Sequence, residues 1–201
     1  MTLMYALKKP TLILTFAGLI NVLSTYGQTS HESLQIKSAI LAAPEEMRDG
    51  VTVLGYNDSG QLVTLQKGTN DLICLADDPN KMGFNAACYH KDLEPFMARG
   101  RTLKQEGKSP QEIFDIREAE VKSGKLKMPP QPTTLHVLYG PNARYDESTN
   151  QMLEAKYRYV IYIPYATAES SGLPTKPRAA GDPWLMDPGT HRAHIMVTPK
   201  Q

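Results

Sequence analysis

Two of the five histidines, His191 and His194, lie three residues apart in the C-terminal stretch GTHRAHIMV. Neutral imidazole binds metals and can act as a general base, so the pair could hold an ion or serve a hydrolase. Residues three apart share a face on a helix but point to opposite faces on a strand. A Pro-Gly pair before the histidines and the apolar run 195–197 after them favour a strand. We therefore expect the two histidine side chains to diverge.

The strand prediction makes His194 the more important of the two. His194 would share one face of the strand with Met196 and be buried, while His191 would lie exposed at the mouth of the preceding loop. A ligand or metal site at His194 needs partners that converge on it. The candidate partners are aspartates and histidines elsewhere in the chain: Asp187, His136, His90 and Asp182.

Two further groups of residues could contact a ligand. Trp184, the only tryptophan, lies in the loop-like segment GDPWLMDP. Its ring either fills the core or contacts a ligand, and we favour the core. Asp77 and Asp78 could bind calcium in an exported protein, but beside Pro79 and Asn80 they are more simply members of a polar turn.

The signatures of several large enzyme families are absent from the sequence. It contains no G-x-S-x-G, H-E-x-x-H, G-x-x-x-x-G-K-[ST] or G-x-G-x-x-G motif and no EF-hand loop. The sequence therefore identifies no cofactor, and it leaves open whether the protein catalyses a reaction.

The N-terminus has the layout of a secretory signal peptide. Lys8 and Lys9 precede the apolar run TLILTFAGLINVL, which small and turn-forming residues follow. This run is shorter than the about 20 apolar residues that cross a bilayer. We predict cleavage after Gly27, giving a signal peptide at 1–27 and a soluble secreted or periplasmic domain at 28–201.

The exported part should form a single domain without a nucleic acid partner. Removing 27 of the 201 residues leaves 174, a length that suits one core. The removed segment contains two lysines and no acid, so 20 basic residues remain against 21 acidic ones. No basic stripe favours nucleic acid or anionic lipid, and we expect no membrane anchor after cleavage. A small molecule or an envelope protein is the expected partner.

The only cysteines, Cys74 and Cys88, are expected to form a disulfide with each other. An exported chain meets an oxidising compartment, where paired thiols persist as disulfides. The C-x-x-C spacings of zinc and haem sites are absent, and a bonded pair offers no thiolate to a metal or substrate. Closing a loop of this length stabilises a domain by ~3 kcal/mol.

Periodicity and turn residues predict the elements before Cys88. The stretch 31–43 has the pattern of a short helix that Pro44 ends. Three β-rich runs follow, VTVLGY, QLVTLQ and DLICLA, with turn residues between them. They predict an antiparallel meander with Cys74 in its third strand.

A helical insert is predicted after Cys88. Asp92 would cap a first helix that stops at Gly107. Ser109 and Glu112 form a capping box that predicts a second helix to about Ser123. The apolar residues of this second helix should be buried and its charged residues solvated: Ile113, Phe114, Ile116 and Val121 against Asp115, Arg117, Glu118, Glu120 and Lys122.

The remainder of the chain is β-rich. Strands are predicted at 133–139, 157–165 and 193–197, and the second is apolar on both faces, as is typical of a central strand. Strand runs at both ends of a helical insert indicate the α+β class. The prediction is an antiparallel sheet of short strands with a helical insert and one disulfide.

Two sequence blocks resemble a family of uncharacterised secreted proteins of environmental bacteria. One is the G-T-N-x-x-x-C block that ends at Cys74, and the other is the G-T-x-x-A-H-I-M block that ends at Met196. The resemblance implies a cleaved signal peptide, and it includes His194 but not His191 or Arg192. It implies no activity, ligand or cofactor.

The function that we expect is binding of a small ligand or a protein partner. One alternative is a metal-assisted or histidine-dependent hydrolase, in which His194 acts with Asp187 or His136. That enzyme would need His194 in an open pocket with a carboxylate or second histidine in reach. The other alternative is an envelope structural or interaction protein, which would expose an apolar patch without a concave pocket.

Overall fold

The computed structural model describes residues 22–200, with side chains from residue 31 onward. Residues 1–21, which hold most of the predicted signal peptide, lie outside the described residues. The first described element is helix α1 (Val22–Ile40), which runs through the predicted cleavage point after Gly27. Between residues 22 and 200, no helix combines the length and apolar character needed to cross a membrane.

The described residues form ten strands and three further helices. The strands are β1 (Thr52–Tyr56), β2 (Leu62–Gln66), β3 (Leu72–Leu75), β4 (Phe84–His90), β5 (Thr133–Gly140), β6 (Arg144–Asp146), β7 (Gln151–Leu153), β8 (Lys156–Tyr162), β9 (Trp184–Met186) and β10 (His194–Val197). The helices are α2 (Glu94–Gln105), α3 (Pro110–Lys122) and α4 (Ala168–Ser171). Eight of these strands form one sheet in the order β2-β1-β3-β4-β5-β8-β10-β9, and β6 pairs with β7 as a separate hairpin. The predicted α+β class is confirmed.

The first three strands do not form the predicted meander. β1 and β2 are antiparallel, but β3 pairs with β1 in parallel. After β2 the chain returns to the start of β1, where the Gly50 carbonyl oxygen accepts hydrogen bonds from the N–H groups of Thr69 and Asn70. Gly68 passes so close to this backbone that a Cβ there would lie 2.3 Å from the Gly50 oxygen. The chain therefore crosses to the far side of β1 before β3 begins.

Each face of the sheet carries its own core. On one face, α1 covers β1, β3 and β4, and Ala39 of the helix packs with Val53 and the two cysteines. On the other face, α2 and the segment after α3 cover the central strands, where Phe96 packs with Val160. The sheet is thus the middle layer of the molecule, and the helical insert lies on one side of it.

Of the two predicted helix caps in the insert, one is confirmed and the other is wrong. The α3 capping box is confirmed, because Ser109 and Glu112 exchange backbone-to-side-chain hydrogen bonds. The prediction that Asp92 caps the first helix is wrong. Residues Lys91–Leu93 form a 3-10 turn, and the ring of His90 caps it by accepting a hydrogen bond from the Asp92 N–H at 3.3 Å. His90 takes this role because it ends β4 in the extended conformation that a cap requires.

The charged face of α3 is not wholly solvated, which corrects the prediction. Arg117 and Glu120 are each only 8% exposed, because α2 packs across this face. Glu120 accepts hydrogen bonds of 2.8–3.1 Å from the Arg99 guanidinium of α2. The Arg117 guanidinium lies 3.9 Å above the Phe96 ring. The apolar residues of α3 are only half-buried: Ile113, Phe114, Ile116 and Val121.

Four strands lie outside the predicted ones: β4, β6, β7 and β9. β4 is the most important, since it carries Cys88 directly opposite Cys74 of β3. The predicted disulfide between these cysteines is confirmed. The alternation of β4 is hidden in the sequence because the neighbouring alanines Ala86 and Ala87 face opposite sides of the sheet.

Candidate functional site

His194 lies on β10 and is buried as predicted, with 6% of its surface exposed. Its Nδ1 donates to the backbone carbonyl oxygen of Arg192 at 2.7 Å, and its ring centroid lies 5.3 Å from that of Tyr162. Burial lowers the pKa of His194. The imidazole is therefore a neutral core group without an open face for a substrate.

His191 is fully buried, so the prediction of an exposed loop residue is wrong. It does lie in a turn, but this turn folds over the helical insert. The His191 ring enters the space between Phe96 and Phe114, with ring centroids 5.6 and 4.9 Å away. The alternation of side chains along a strand could not predict the burial of His191, because its contact with Phe114 depends on where α3 lies.

Glu118 of α3 holds His191 by two hydrogen bonds, 2.8 Å from the backbone N–H and 2.5 Å from Nδ1. Partial burial opposes ionisation of Glu118, but these bonds and the ammonium of Lys122 lower its pKa to about 2. The ionised carboxylate therefore fixes the proton on Nδ1. Burial lowers the pKa of His191, and the positive charges of Arg117 and Arg192 lower it further. The hydrogen bond and negative charge of Glu118 act in the opposite direction but do not reverse the shift.

The Glu118–His191 pair has the geometry of a general base, but a substrate cannot reach its imidazole. The Nε2 atom of His191 is buried and has no hydrogen-bond partner among the described residues. In a catalytic dyad the carboxylate bonds Nδ1, and Nε2 stays free to take a proton from the substrate. In this protein Nε2 of His191 faces packed aromatic rings instead. We interpret the pair as a structural clamp between α3 and the C-terminal turn.

His136 does not approach His194. His136 lies opposite Tyr159 in the pairing of β5 with β8, whereas His194 lies opposite Tyr162 in the pairing of β10 with β8. Residues 159 and 162 differ by an odd number, so the two histidines lie on opposite faces of the sheet. The His136 ring instead bonds the Tyr157 hydroxyl at 2.5 Å.

The other predicted partners also lie apart from His194 or are engaged elsewhere. The Asp187 carboxylate accepts a hydrogen bond from Arg192 Nε at 2.7 Å. Trp184 lies on the edge strand β9, half-buried against the core beneath the helical insert, so the core position we favoured holds in part. Its exposed side lines a cavity of about 360 Å³ with Asp182. His90 caps the turn before α2.

No metal centre forms where the structure describes the chain. Groups of three or more histidine, cysteine, aspartate or glutamate side chains in ligand positions are absent from these residues. At the calcium candidate, Asp78 is paired with Lys81 and Lys104 at 3.4 and 3.8 Å. Asp78 also accepts a hydrogen bond from the Asn80 N–H at 3.2 Å, which is the polar turn that the sequence predicts.

Three adjoining cavities surround the segment Asp77–Phe84, which joins β3 to β4. We call this surface the loop cleft. The Cys74–Cys88 disulfide ties together the two strands that carry the segment. The tip of the segment exposes Met82 completely. The cleft thus combines concave surface, an exposed apolar side chain and a rigid base.

The charged side of the loop cleft consists of two cavities of about 350 and 270 Å³ that share Tyr56 and Asp78. It lies at the end of the sheet where the C-terminal part of α2 overhangs β1. Lys81, Lys104 and Arg101 contribute cations to its lining. This side can contact a ligand with a mixture of anionic and polar groups.

The apolar side is a third cavity of about 270 Å³ that shares Asp77 and Phe84 with the charged side. It lies between the C-terminal half of α1 and the β6–β7 hairpin. Most of its surface is carbon, and its two carboxylates belong to Asp77 and Glu147. Its remaining lining residues are His31, Leu34, Gln35, Ser38, Pro79 and Tyr145.

Several ionisable groups of the loop cleft have shifted pKa values. Burial raises the pKa of Asp77 and of Tyr56. Despite partial burial, the Asn80 N–H and the Lys81 ammonium lower the pKa of Asp78. Shifted groups concentrated in a concave site are a common mark of function. The loop cleft is therefore the candidate functional site of the protein.

Sequence patterns point to only part of this site. The turn at Asp77–Asn80 is recognisable as a possible ligand site. Tyr145 and Glu147 are not, because they reach the cleft on a hairpin that lies outside the predicted strands. From the sequence, Tyr56 is predicted only as the last residue of a strand. These residues come together only in the folded chain, so they could be predicted as site residues only once the pairing of β3 with β4 was known.

No family model matches the chain, and neither a curated protein nor a solved structure shows significant similarity to it. The resemblance to secreted bacterial proteins therefore stays a prediction.

Proposed function

We propose that the protein is an exported binding protein that holds a small ligand in the loop cleft. The observation that carries the proposal is the coincidence of three adjoining cavities with shifted ionisable groups around one segment, Asp77–Phe84. Small-molecule sites are concave surfaces with a few convergent polar groups, and this region meets that description. The disulfide at the base of the segment reduces the ordering cost of binding.

The alternative functions have less support. A hydrolase centred on His194 needs an open pocket, and His194 is buried with a backbone carbonyl as its partner. A purely structural envelope protein needs an apolar patch without a pocket. Four large apolar side chains of the described residues are exposed, Leu34, Met47, Met82 and Tyr165, and two of them, Leu34 and Met82, line the concave loop cleft.

We also propose export to the periplasm or the medium. A disulfide between the only two cysteines is compatible with an oxidising compartment. The charged N-terminus and the apolar run after it support a cleaved signal peptide. N-terminal sequencing of the exported protein tests this, and the expected first residue is Gln28.

Ligand-dependent thermal shift tests the binding function. A ligand at one hundred times its Kd stabilises the fold by about 2.7 kcal/mol, which raises Tm by several degrees. The screen uses small charged and zwitterionic metabolites against wild type, Tyr56→Ala and Asp77→Asn, each compared with its own unliganded Tm. A cleft ligand should lose most of its effect in at least one variant and keep it in Asp115→Asn.

Asp115→Asn is the matched control, since Asp115 lies exposed on α3 outside the loop cleft. A ligand that stabilises all four proteins equally would bind elsewhere and would contradict the proposal. A broad screen in which no compound shifts the wild-type Tm would contradict it as well.

A further inference from the structure

The apolar side of the loop cleft has an electrostatic character of its own. Asp77 and Glu147 line it, and no lysine or arginine is among its lining residues. On the charged side, in contrast, Lys81 and Lys104 are paired with Asp78. Two carboxylates therefore face one mostly apolar cavity, whose lining contains one histidine, His31, and no lysine or arginine.

Asp77 is the central group of this cavity. Its Oδ1 accepts a hydrogen bond from the Asn85 N–H at 2.9 Å. Burial raises the pKa of the half-buried Asp77 carboxylate, and the Lys81 ammonium lowers it only in part because no ion pair within 4 Å joins Asp77 to a side chain of the described residues. A half-buried carboxylate without a cationic partner is costly, and a cation that binds beside it removes part of that cost.

Aromatic rings complete the environment that a cation prefers. Phe84 and Tyr145 line the same cavity as the carboxylates. The face of an aromatic ring carries partial negative charge and attracts ammonium groups. Burial raises the pKa of Tyr145, and the negative charges of Glu147 and Asp146 add to this shift.

We propose that the apolar side of the loop cleft binds a small organic cation, with its ammonium group between Asp77 and Glu147. The apolar body of the ligand lies against Leu34, Phe84 and Tyr145. This inference rests on the proposed binding function and names the class of ligand. The cavity of about 270 Å³ is smaller than the about 300–1,000 Å³ typical of drug-sized ligands, so the occupant is a small amine.

A matched pair of probes tests the charge preference. Hexylammonium and hexanoate have similar apolar bodies and opposite charges. Each is titrated into the purified protein at low salt, and backbone amide shifts are followed by NMR. We expect hexylammonium to shift the amides of Asp77–Phe84, of Tyr145–Glu147 and of α1 around Leu34. Hexanoate should leave the α1 and hairpin amides unchanged.

Two variants locate the charge that binds. Asp77→Asn keeps the shape of the side chain and should weaken hexylammonium binding about tenfold or more, since a charge-assisted hydrogen bond is lost. Glu147→Gln, at an exposed hairpin position, should weaken it less and does not threaten the fold. Asp115→Asn should have no effect. Unchanged affinity in both cleft variants would overturn the inference.

The remaining outcomes separate this inference from the proposed function. Hexanoate binding to the apolar side as tightly as hexylammonium would overturn the cation preference and leave a binding cleft. Shifts from hexylammonium that map outside the cleft would overturn the inference, while a different ligand bound on the charged side would still support the proposed function. The proposed function fails when ligands of neither charge bind in the cleft, or when every ligand that stabilises the protein binds outside it.

Discussion

At the scale of single residues, the Glu118–His191 clamp shows how burial changes what a sequence motif means. The spacing of His191 and His194 suggests shared chemistry, yet each ring has a separate structural role. His194 bonds a backbone carbonyl oxygen, and His191 is held by an ionised carboxylate from α3. Both roles depend on a neutral imidazole in a packed environment.

Replacing Glu118 with Gln should destabilise the protein. The carboxylate accepts hydrogen bonds from the His191 backbone and ring, and bonds to a charged group contribute about 1.5–3 kcal/mol each. A Gln side chain keeps one acceptor and loses the charge, so we expect a loss of about 1–3 kcal/mol in the free energy of unfolding, measured by urea denaturation. Asp115→Asn on the same helix should change it by less than about 0.5 kcal/mol. Equal losses in the two variants would contradict the clamp.

The buried histidines should make the protein less stable in acid. Burial lowers the pKa values of His136, His191 and His194 below the ordinary value of 6.5. Between 6.5 and these lower values the unfolded chain binds protons that the folded chain does not, so stability falls as the pH falls. The urea midpoint should therefore be lower at pH 5 than at pH 7.5. His191→Gln and His194→Gln should each flatten this dependence, and a midpoint independent of pH in wild type would contradict the account.

At the scale of elements, the crossing from β2 to β3 determines the order of the first strands. The chain passes against the backbone at the start of β1, and Gly68 is the residue at the closest approach. This contact also gives a structural reason for the glycine of the Gly68-Thr69-Asn70 block. Asn70 reinforces the crossing through side-chain bonds to the carbonyl oxygens of Met47 and Asp49.

Gly68→Ala should therefore be strongly destabilising. The added Cβ would lie 2.3 Å from backbone atoms, which cannot move aside as a side chain can. We expect a loss of at least about 2 kcal/mol in the free energy of unfolding. The control is Gly124→Ala, where the site is open and only the positive φ of 75° opposes the substitution, at about 1 kcal/mol. A smaller loss for Gly68→Ala than for the control would contradict this account of the crossing.

The elements that the sequence predicts are those with strong local signals. The α3 helix follows from its capping box, and β8 follows from its run of tyrosines and β-branched residues. β4 has no such signal, and the parallel pairing of β3 depends on a contact between Gly68 and Gly50 that no local pattern encodes. The turn at Asp77 is local and predictable, whereas the cavity beside it requires α1 and a distant hairpin.

At the scale of the whole molecule, the disulfide links stability to the candidate site. It joins neighbouring strands immediately before and after the segment that forms the loop cleft. The rest of the cleft is built from α1, α2, the β6–β7 hairpin and residues at the ends of β1, β2 and β5. The site therefore depends on the packed domain rather than on one motif.

Removal of the disulfide should lower the stability of the protein considerably, but the chain should still fold. The double variant Cys74→Ala/Cys88→Ala should lose ~3 kcal/mol in the free energy of unfolding, out of the roughly 5–15 kcal/mol typical of a domain. Thiol titration of unfolded, non-reduced wild type should detect no free thiol. Two reactive thiols per chain would contradict the disulfide.

Above all, we propose that the loop cleft is a binding site. The most direct measurement is an amide-shift map of the wild-type protein, recorded with a compound that raises its Tm. We predict that the largest shifts fall on Asp77–Phe84 and on residues that line the adjoining cavities. Large shifts confined to the opposite edge of the sheet, around Trp184, would contradict the account.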